Sequence, residues 1–155
     1  MAYADAIRNG TANFSTVASL VEGACPDVGF ANYTTIQSMA SSTLQDVTGS
    51  SVTVTIATGD SVLLLADYSF SGSVVGDDMN ITFRQDSTDV GVVTREYIAV
   101  SSTTGERQRG FLSWFIASPT VGSRTYKLRY ARQSGGSTTI YIKNVSVTAL
   151  VFQNR

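Results

Sequence analysis

The sequence predicts an all-β protein, a sandwich or barrel of about eight to ten antiparallel strands. Apolar residues alternate with serine and threonine in many short segments, which is typical of strands that have one buried face. Thirteen glycines stand against only two prolines, which favours tight turns between those strands. Strands do not alternate with long helical patterns, so the chain does not resemble a parallel α/β protein.

Composition narrows the class of protein and its partners. A chain of 155 residues is expected to form one domain that buries its core without disulfides. The single cysteine, Cys25, cannot form an internal disulfide, which favours folding in a reducing cytoplasm. With 11 basic and 12 acidic residues, we expect neither a nucleic-acid nor a membrane partner. No signal peptide and no membrane-spanning run is expected either.

The N-terminal segment is predicted to differ from the rest of the chain. We assign residues 1–33 to an arm or short helix and residues 34–155 to the sandwich. Four apolar residues lie at helical spacing: Phe14, Val17, Ala18 and Val21. Such a short helix is unstable alone, so it lies either on its own domain or on a neighbouring subunit. On a neighbour, its anchoring residues would be Tyr3, Ile7, Phe14, Leu20 and Phe30.

Strand and turn signals alternate along the remaining chain. Ser134 to Ser137 is predicted to be a hairpin loop that joins the strands on either side of it. Gly91 marks a bulge within its strand. The inward-facing parity changes at Lys143-Asn144, which predicts a bulge or a short turn. The predicted strands cover residues 35–39, 43–47, 51–57, 61–70, 80–85, 90–100, 110–118, 124–132, 138–142 and 145–152.

The segment 110–118, GFLSWFIAS, is apolar on both faces. Phe111 and Phe115 would share one face, and Leu112, Trp114 and Ile116 the other. Such a strand must be covered on both sides, and the chain has little helix to do so, which predicts an oligomer. Alternation leaves open which face meets the other sheet and which meets another subunit. The strands at 61–70 and 145–152 are predicted to contribute to the interface. The predicted interface residues are Phe111, Phe115, Trp114, Leu150 and Phe152.

Catalytic signatures are missing from the sequence. The chain has no histidine, which excludes Ser-His-Asp and Cys-His catalysis and imidazole metal sites. We therefore predict a protein that is not an enzyme, with no catalytic residue, no cofactor and no metal site. Asp77, Asp78, Asp86 and Asp89 are explained as turn formers. The alternative is that they hold a structural calcium in a carbohydrate-binding module.

Arginine outnumbers lysine by nine to two, and most of the arginines lie on or beside predicted strands. Arginine is favoured in protein interfaces, because its planar guanidinium makes paired hydrogen bonds and stacks on tyrosine. Ordinary cross-strand ion pairs on a solvated sheet face explain the same pattern equally well. The residues concerned are Arg84, Arg95, Arg107, Arg109, Arg129 and Arg132.

Two stretches carry a family resemblance: TGDSVLLLA at residues 58–66 and GSRTYKLRY at residues 122–130. Both resemble strands of the trimeric jelly-roll heads of the tumour necrosis factor and complement-head type. Similar patterns occur in tail, fibre and head-surface proteins of tailed bacteriophages. The resemblance extends over residues 51–152 and implies an antiparallel jelly-roll β-sandwich, threefold assembly and a structural or adhesive role.

A small trimeric jelly roll with an N-terminal arm looks like a capsid decoration protein. The resemblance therefore implies a homotrimer that binds and stabilises the major capsid protein of a phage head. Its location would be the virion surface, after synthesis in the host cytoplasm. The alternative is a tail fibre or collar head that binds a host receptor or glycan through residues 72–79 and 101–109.

Overall fold

The computed structural model describes residues 27–103, 105, 107–133 and 137–153. This part of the chain contains ten strands and no helix, and hence no helix able to cross a membrane. The strands are β1 (Asp27–Tyr33), β2 (Gln37–Met39), β3 (Gln45–Asp46), β4 (Val52–Ile56), β5 (Ser61–Gly72), β6 (Asp78–Gln85), β7 (Thr88–Tyr97), β8 (Gln108–Ile116), β9 (Gly122–Arg132) and β10 (Ile140–Phe152).

The strands form two antiparallel sheets. The first has the order β1-β10-β5-β8, with β2 also paired to β10. The second has the order β3-β9-β6-β7, with β4 also paired to β9. From β4 onward most connections pass from one sheet to the other, which is the arrangement of a jelly roll. The predicted all-β antiparallel sandwich is confirmed.

The core lies between the sheets and follows the sequence alternation. Every second residue is buried in β4, in β5 and from Tyr126 to Tyr130 of β9, as the alternation predicts, because successive side chains of a strand point to opposite faces. Aromatic side chains from both sheets meet in the centre. The largest fully buried side chains include Tyr68, Phe70, Phe83, Tyr126 and Tyr130.

A bulge in β10 explains the change of parity at Lys143-Asn144. The register between β10 and β5 shifts between Lys143 and Ser146. Asn144 absorbs the extra residue with φ 51°, in the left-handed region that asparagine tolerates better than most residues. Ile142 and Val145 are therefore both buried. The predicted strands 138–142 and 145–152 are one strand, and the predicted bulge is confirmed.

The predicted hairpin across Ser134–Ser137 is wrong. β9 pairs with β3, β4 and β6 in the second sheet, whereas β10 pairs with β1, β2 and β5 in the first. The connection between β9 and β10 therefore crosses from one sheet to the other. Turn residues in the sequence mark a connection between two strands. They do not show whether that connection stays within one sheet, as in a hairpin, or crosses to the other sheet.

β1 belongs to the first sheet, where Asp27 to Tyr33 pair with Val151 to Val145. The sheet therefore includes residues that the predicted boundary at residue 33 assigned to the arm. Phe30 of the predicted anchors lies on this strand. The candidate helix and the other predicted anchors, Tyr3, Ile7, Phe14 and Leu20, lie outside the described residues.

The bulge predicted at Gly91 lies where β7 faces Trp114. The register between β6 and β7 shifts between Ile81 and Phe83, opposite Gly91. Gly91 has φ 87°, and a Cβ atom there would lie 2.8 Å from Cδ2 of Trp114. Only glycine fits both the backbone conformation and the space beside the ring. The bulge thus allows the backbone of β7 at Gly91 to pack against the ring of Trp114, where β7 and β8 form one edge of the sandwich.

The two ends of the sandwich differ. Strand registers place residues 57–60, the β6–β7 turn and residues 117–121 at one end, beside Asp27 and Gln153. We call this the terminal end. The connections 73–77 and 98–107 lie at the opposite end, which we call the loop end.

Candidate interaction surface

The structure decides which face of β8 points inward. Leu112 and Ile116 are partly buried and pack against the core between the sheets. Phe111 and Phe115 point outward and are 61% and 56% exposed. The two phenylalanines therefore lie on the outer face of the first sheet, the side available to a partner.

Trp114 lies apart from the other predicted interface residues. It is on the same side of β8 as Leu112, packs against Gly91, and is 36% exposed at the edge of the sandwich. The structure brings together four of the five predicted residues on one face: Phe111, Phe115, Leu150 and Phe152. Trp114 belongs to the neighbouring edge formed by β7 and β8.

The strand registers align apolar side chains in one row across four strands of the first sheet. Leu150 of β10 pairs with Val28 of β1 and with Leu63 of β5, which in turn pairs with Phe115 of β8. One apolar row thus crosses four strands, a width of about 14 Å at the usual strand spacing. We call the whole set the apolar face: Val28, Phe30, Leu63, Leu65, Phe111, Phe115, Leu150 and Phe152.

Several side chains of the apolar face are open to solvent. Val28 and Phe30 are 61% and 64% exposed, and Phe152 is also exposed. Single exposed apolar residues are ordinary on a protein surface, but a contiguous patch marks an interaction site. Val28 was missing from the predicted interface, and Leu63 and Leu65 belonged to it only through their strand, residues 61–70, without being named. Their apolar side chains alternate along β1 and β5 with the more polar or inward-facing residues. Once the strand order is known, this alternation places Val28, Leu63 and Leu65 on the same face as Leu150.

The outer face of the second sheet is charged instead. The carboxylate of Asp46 lies 3.1 Å from Arg84 Nη1, 3.0 Å from Lys127 Nζ and 3.2 Å from Arg129 Nε. Arg129 also contacts the carboxylate of Asp89 at 2.6 Å. The arginines of these strands were explained either as interface residues or as members of cross-strand ion pairs. Arg84 and Arg129 form cross-strand ion pairs. Such a face is stable in water, in contrast to the apolar outer face of the first sheet.

Asp46 connects three cations, so its loss is expected to destabilise the fold. Burial raises the pKa of Asp46, but hydrogen bonds from Lys127 and Arg84 outweigh that effect, and its pKa is lowered from 3.8. Its contribution is therefore complete above pH 3.8 and is lost as the pH falls through the folded-state pKa. We expect Asp46→Asn to cost about 1 kcal/mol at pH 7 and to weaken the acid dependence of stability.

Urea unfolding at pH 7 and pH 3 checks this prediction. Asp67→Asn is the matched control, because Asp67 makes one exposed contact, 3.5 Å from Arg109. It is expected to change stability by less than about 0.5 kcal/mol. Equal effects of the two substitutions at pH 7 would contradict a special role for Asp46.

The aspartates considered for calcium have other partners. Asp86 accepts hydrogen bonds from Arg124 and from the backbone N–H of Thr125, which lower its pKa. Asp78 pairs with Arg95, and Asp89 with Arg129. In the described ranges no three acidic, cysteine or histidine side chains converge as metal ligands. Asp78, Asp86 and Asp89 therefore have cationic partners within the protein.

The two segments predicted to contact a receptor meet at the loop end. The backbone N–H of Gly72 donates to Val100 O at 3.2 Å, and the N–H of Ser102 donates to Gly72 O at 3.1 Å. Ser101 Oγ donates to Ser73 O at 3.0 Å. The loop between β5 and β6 also exposes two consecutive valines, Val74 and Val75, which the sequence reasoning overlooked.

Sequence comparison finds no matching family model and no matching curated protein. Solved structures do match. The Eiger TNF from S. frugiperda is similar over 84% of this chain and 95% of its own, with 11% identity and a TM-score of 0.52. The PRD1 vertex protein P5 is similar over 83% of this chain and 99% of its own, with 13% identity and a TM-score of 0.50. Identities this low establish a shared jelly-roll fold alone.

Proposed function

We propose that this chain is a non-enzymatic structural protein of a virus particle that assembles as a homotrimer. The observation that carries the proposal is the apolar face. Five exposed and three partly buried apolar side chains make up this face, whereas the outer face of the opposite sheet carries ion pairs. A permanent protein partner fits this contrast better than a small ligand, because the face is broad and open.

A threefold ring requires two different patches on each subunit, because a face that packs on its own copy forms a twofold dimer. The edge formed by β7 and β8 supplies the second patch, since Val92, Val93 and Trp114 are exposed there. The apolar face of one subunit would receive this edge of the next. Repeating that contact closes a ring, and threefold closure follows the resemblance to trimeric jelly-roll heads.

Within this class, the specific role we propose is capsid decoration, with the trimer bound to the major capsid protein of a phage head. The similarity of fold to a PRD1 vertex protein supports a place on a virion. The N-terminal segment supports attachment, because its apolar residues Tyr3 and Ile7 precede the first described strand, which begins at Asp27. Three linked segments per trimer would strengthen binding to a repeating shell by multivalency.

Deleting residues 2–12 tests this attachment. Because β1 begins at Asp27, the deletion leaves the sheet intact. We expect the shortened protein to form a trimer of unchanged thermal stability. It should no longer sediment with virus particles, whereas the full-length protein should. Copy number relative to the major capsid protein is measured in the same fractions. Trimers that still bind after the deletion would contradict the role of the arm, and a full chain missing from particles would contradict decoration.

The second candidate is a tail fibre or collar head, and the loop end favours it. The segments 73–77 and 98–107 are joined by hydrogen bonds and present Val74 and Val75 to solvent. In this case Val74→Ser with Val75→Ser would abolish adsorption to host cells or binding on a glycan array. The same variant would leave a decoration protein bound to its shell.

A further inference from the structure

We propose that residues 13–22 of the same chain lie across the terminal end of the apolar face, with their apolar side chains in a groove between Phe115 and Phe152. The rest of the face, including Phe111 and Leu65, stays available to the neighbouring subunit. The proposal does not depend on the virion role.

The groove is an open cavity of about 350 Å³. Phe115 and Phe152 form its walls, and both rings are exposed. Small residues leave the space between the rings free. The residues that line it are Gly59, Ser61, Phe115, Ala117, Phe152 and Gln153. Two exposed aromatic rings around an empty space favour an apolar side chain as occupant.

The described chain begins beside this groove. Asp27 pairs with Val151, the residue before Phe152. Its carboxylate also accepts a hydrogen bond from Gln153 Nε2, 3.5 Å away, and Gln153 lines the groove. The 26 residues that precede Asp27 are therefore attached at the margin of the groove. Tethering raises their local concentration there to the millimolar range, so weak contacts suffice to hold them.

Residues 13–22 have the composition and length to cover this end of the sheet. As a helix, their stripe of Phe14, Val17, Ala18 and Val21 would form one apolar side. Ten helical residues span about 15 Å, which matches the roughly 14 Å width of the four strands. The six steps from Val21 to Asp27 reach about 20 Å when extended, enough to place the helix anywhere on that width.

Disulfide trapping in the full chain tests the proposal. In a Cys25→Ser background, Val17→Cys is combined with Ala117→Cys, which lies in the groove. The control pairs Val17→Cys with Thr58→Cys, an exposed residue of the turn at the same end but outside the groove lining. We expect the groove pair to oxidise at least tenfold faster than the control pair, because a disulfide requires closely placed Cβ atoms. Adding Phe14→Ser should bring the groove pair down to the control rate.

The product is read on a non-reducing gel and by peptide mass. A link within one chain is the expected result, and a link between two chains would overturn the assignment to the same chain. Equal rates for the groove and control pairs would overturn the docking itself. Native mass and melting temperature of each reduced variant show that the subunit is folded. They also show whether the trimer persists, so failure of the trimer proposal is seen separately.

Discussion

Replacing Phe111 and Phe115 together with serine is expected to dissociate the proposed trimer into folded monomers. Both side chains lie on the apolar face and do not support the core of their own subunit. Burying one such side chain contributes about 1.5–3 kcal/mol, so the loss of Phe111 alone should weaken association by roughly 10–10²-fold, and any contact that Phe115 makes beyond the groove adds to this. Sedimentation or light scattering at micromolar concentration gives the mass, and circular dichroism reports whether the sandwich remains.

The matched variant changes the other side of the same strand. Leu112→Ser with Ile116→Ser removes two side chains that pack against the core, so it should lower the stability of the subunit itself. The first double substitution is therefore expected to dissociate the trimer, and the second to unfold the subunit. A Phe111→Ser, Phe115→Ser protein that keeps the mass of the unaltered chain would contradict the proposed interface, as would an unaltered chain that is monomeric.

Gly110→Ala is expected to destabilise the fold by about 3 kcal/mol, or to prevent folding. Gly110 pairs with Tyr68 across β5 and β8, and the tyrosine ring covers the glycine. A Cβ atom at residue 110 would lie 2.2 Å from Cε2 and 2.6 Å from Cζ of Tyr68. Tyr68 is fully buried and donates a hydrogen bond to Glu96 Oε1 at 2.8 Å, so the ring has no free space to move into. Overpacking a rigid site of this kind commonly costs 1–3 kcal/mol, and losing the buried hydrogen bond adds to it.

Guanidinium unfolding measures this effect, with Ser113→Ala as control on the same strand. Ser113 is exposed, so the control should change stability by less than about 0.5 kcal/mol. The clash also predicts coupling. Tyr68→Ala removes the ring, and adding Gly110→Ala to it should then cost far less than Gly110→Ala alone. Additive effects of the two substitutions would show that the ring is not the cause.

Most strand positions could be predicted from local alternation. β4, β5 and β9 bury the side chains that share a parity in the sequence, because the two-residue period of a strand is a local property. The bulge at Lys143-Asn144 was visible for the same reason. The pairing partners of the strands could not be predicted from local alternation. For example, β9 and β10 lie in different sheets although a short connection joins them. The choice depends on how both sheets close over the core.

The apolar face was predicted only in part. Four of its members followed from strands that are apolar on both faces, namely Phe111, Phe115, Leu150 and Phe152. Val28 joined them only through the register of β1 with β10. The strand at 61–70 was expected to contribute, and its register with β8 places Leu63 beside Phe115. Trp114 was grouped with the phenylalanines by its strand, although it lies on the other side of that strand. Its place became clear from its contact with Gly91.

The sequence by itself determined that GFLSWFIAS is a strand with two apolar faces, from which we predict a cover on both. Only the tertiary structure decided that Leu112 and Ile116 face the core and that Phe111 and Phe115 face outward. The physical reason is that alternation shows which side chains share a face of the strand. When both faces are apolar, it does not show which of them is turned toward the core. The pairing of Gly110 with Tyr68 breaks that symmetry, since the ring needs the space of a missing side chain on the inner face.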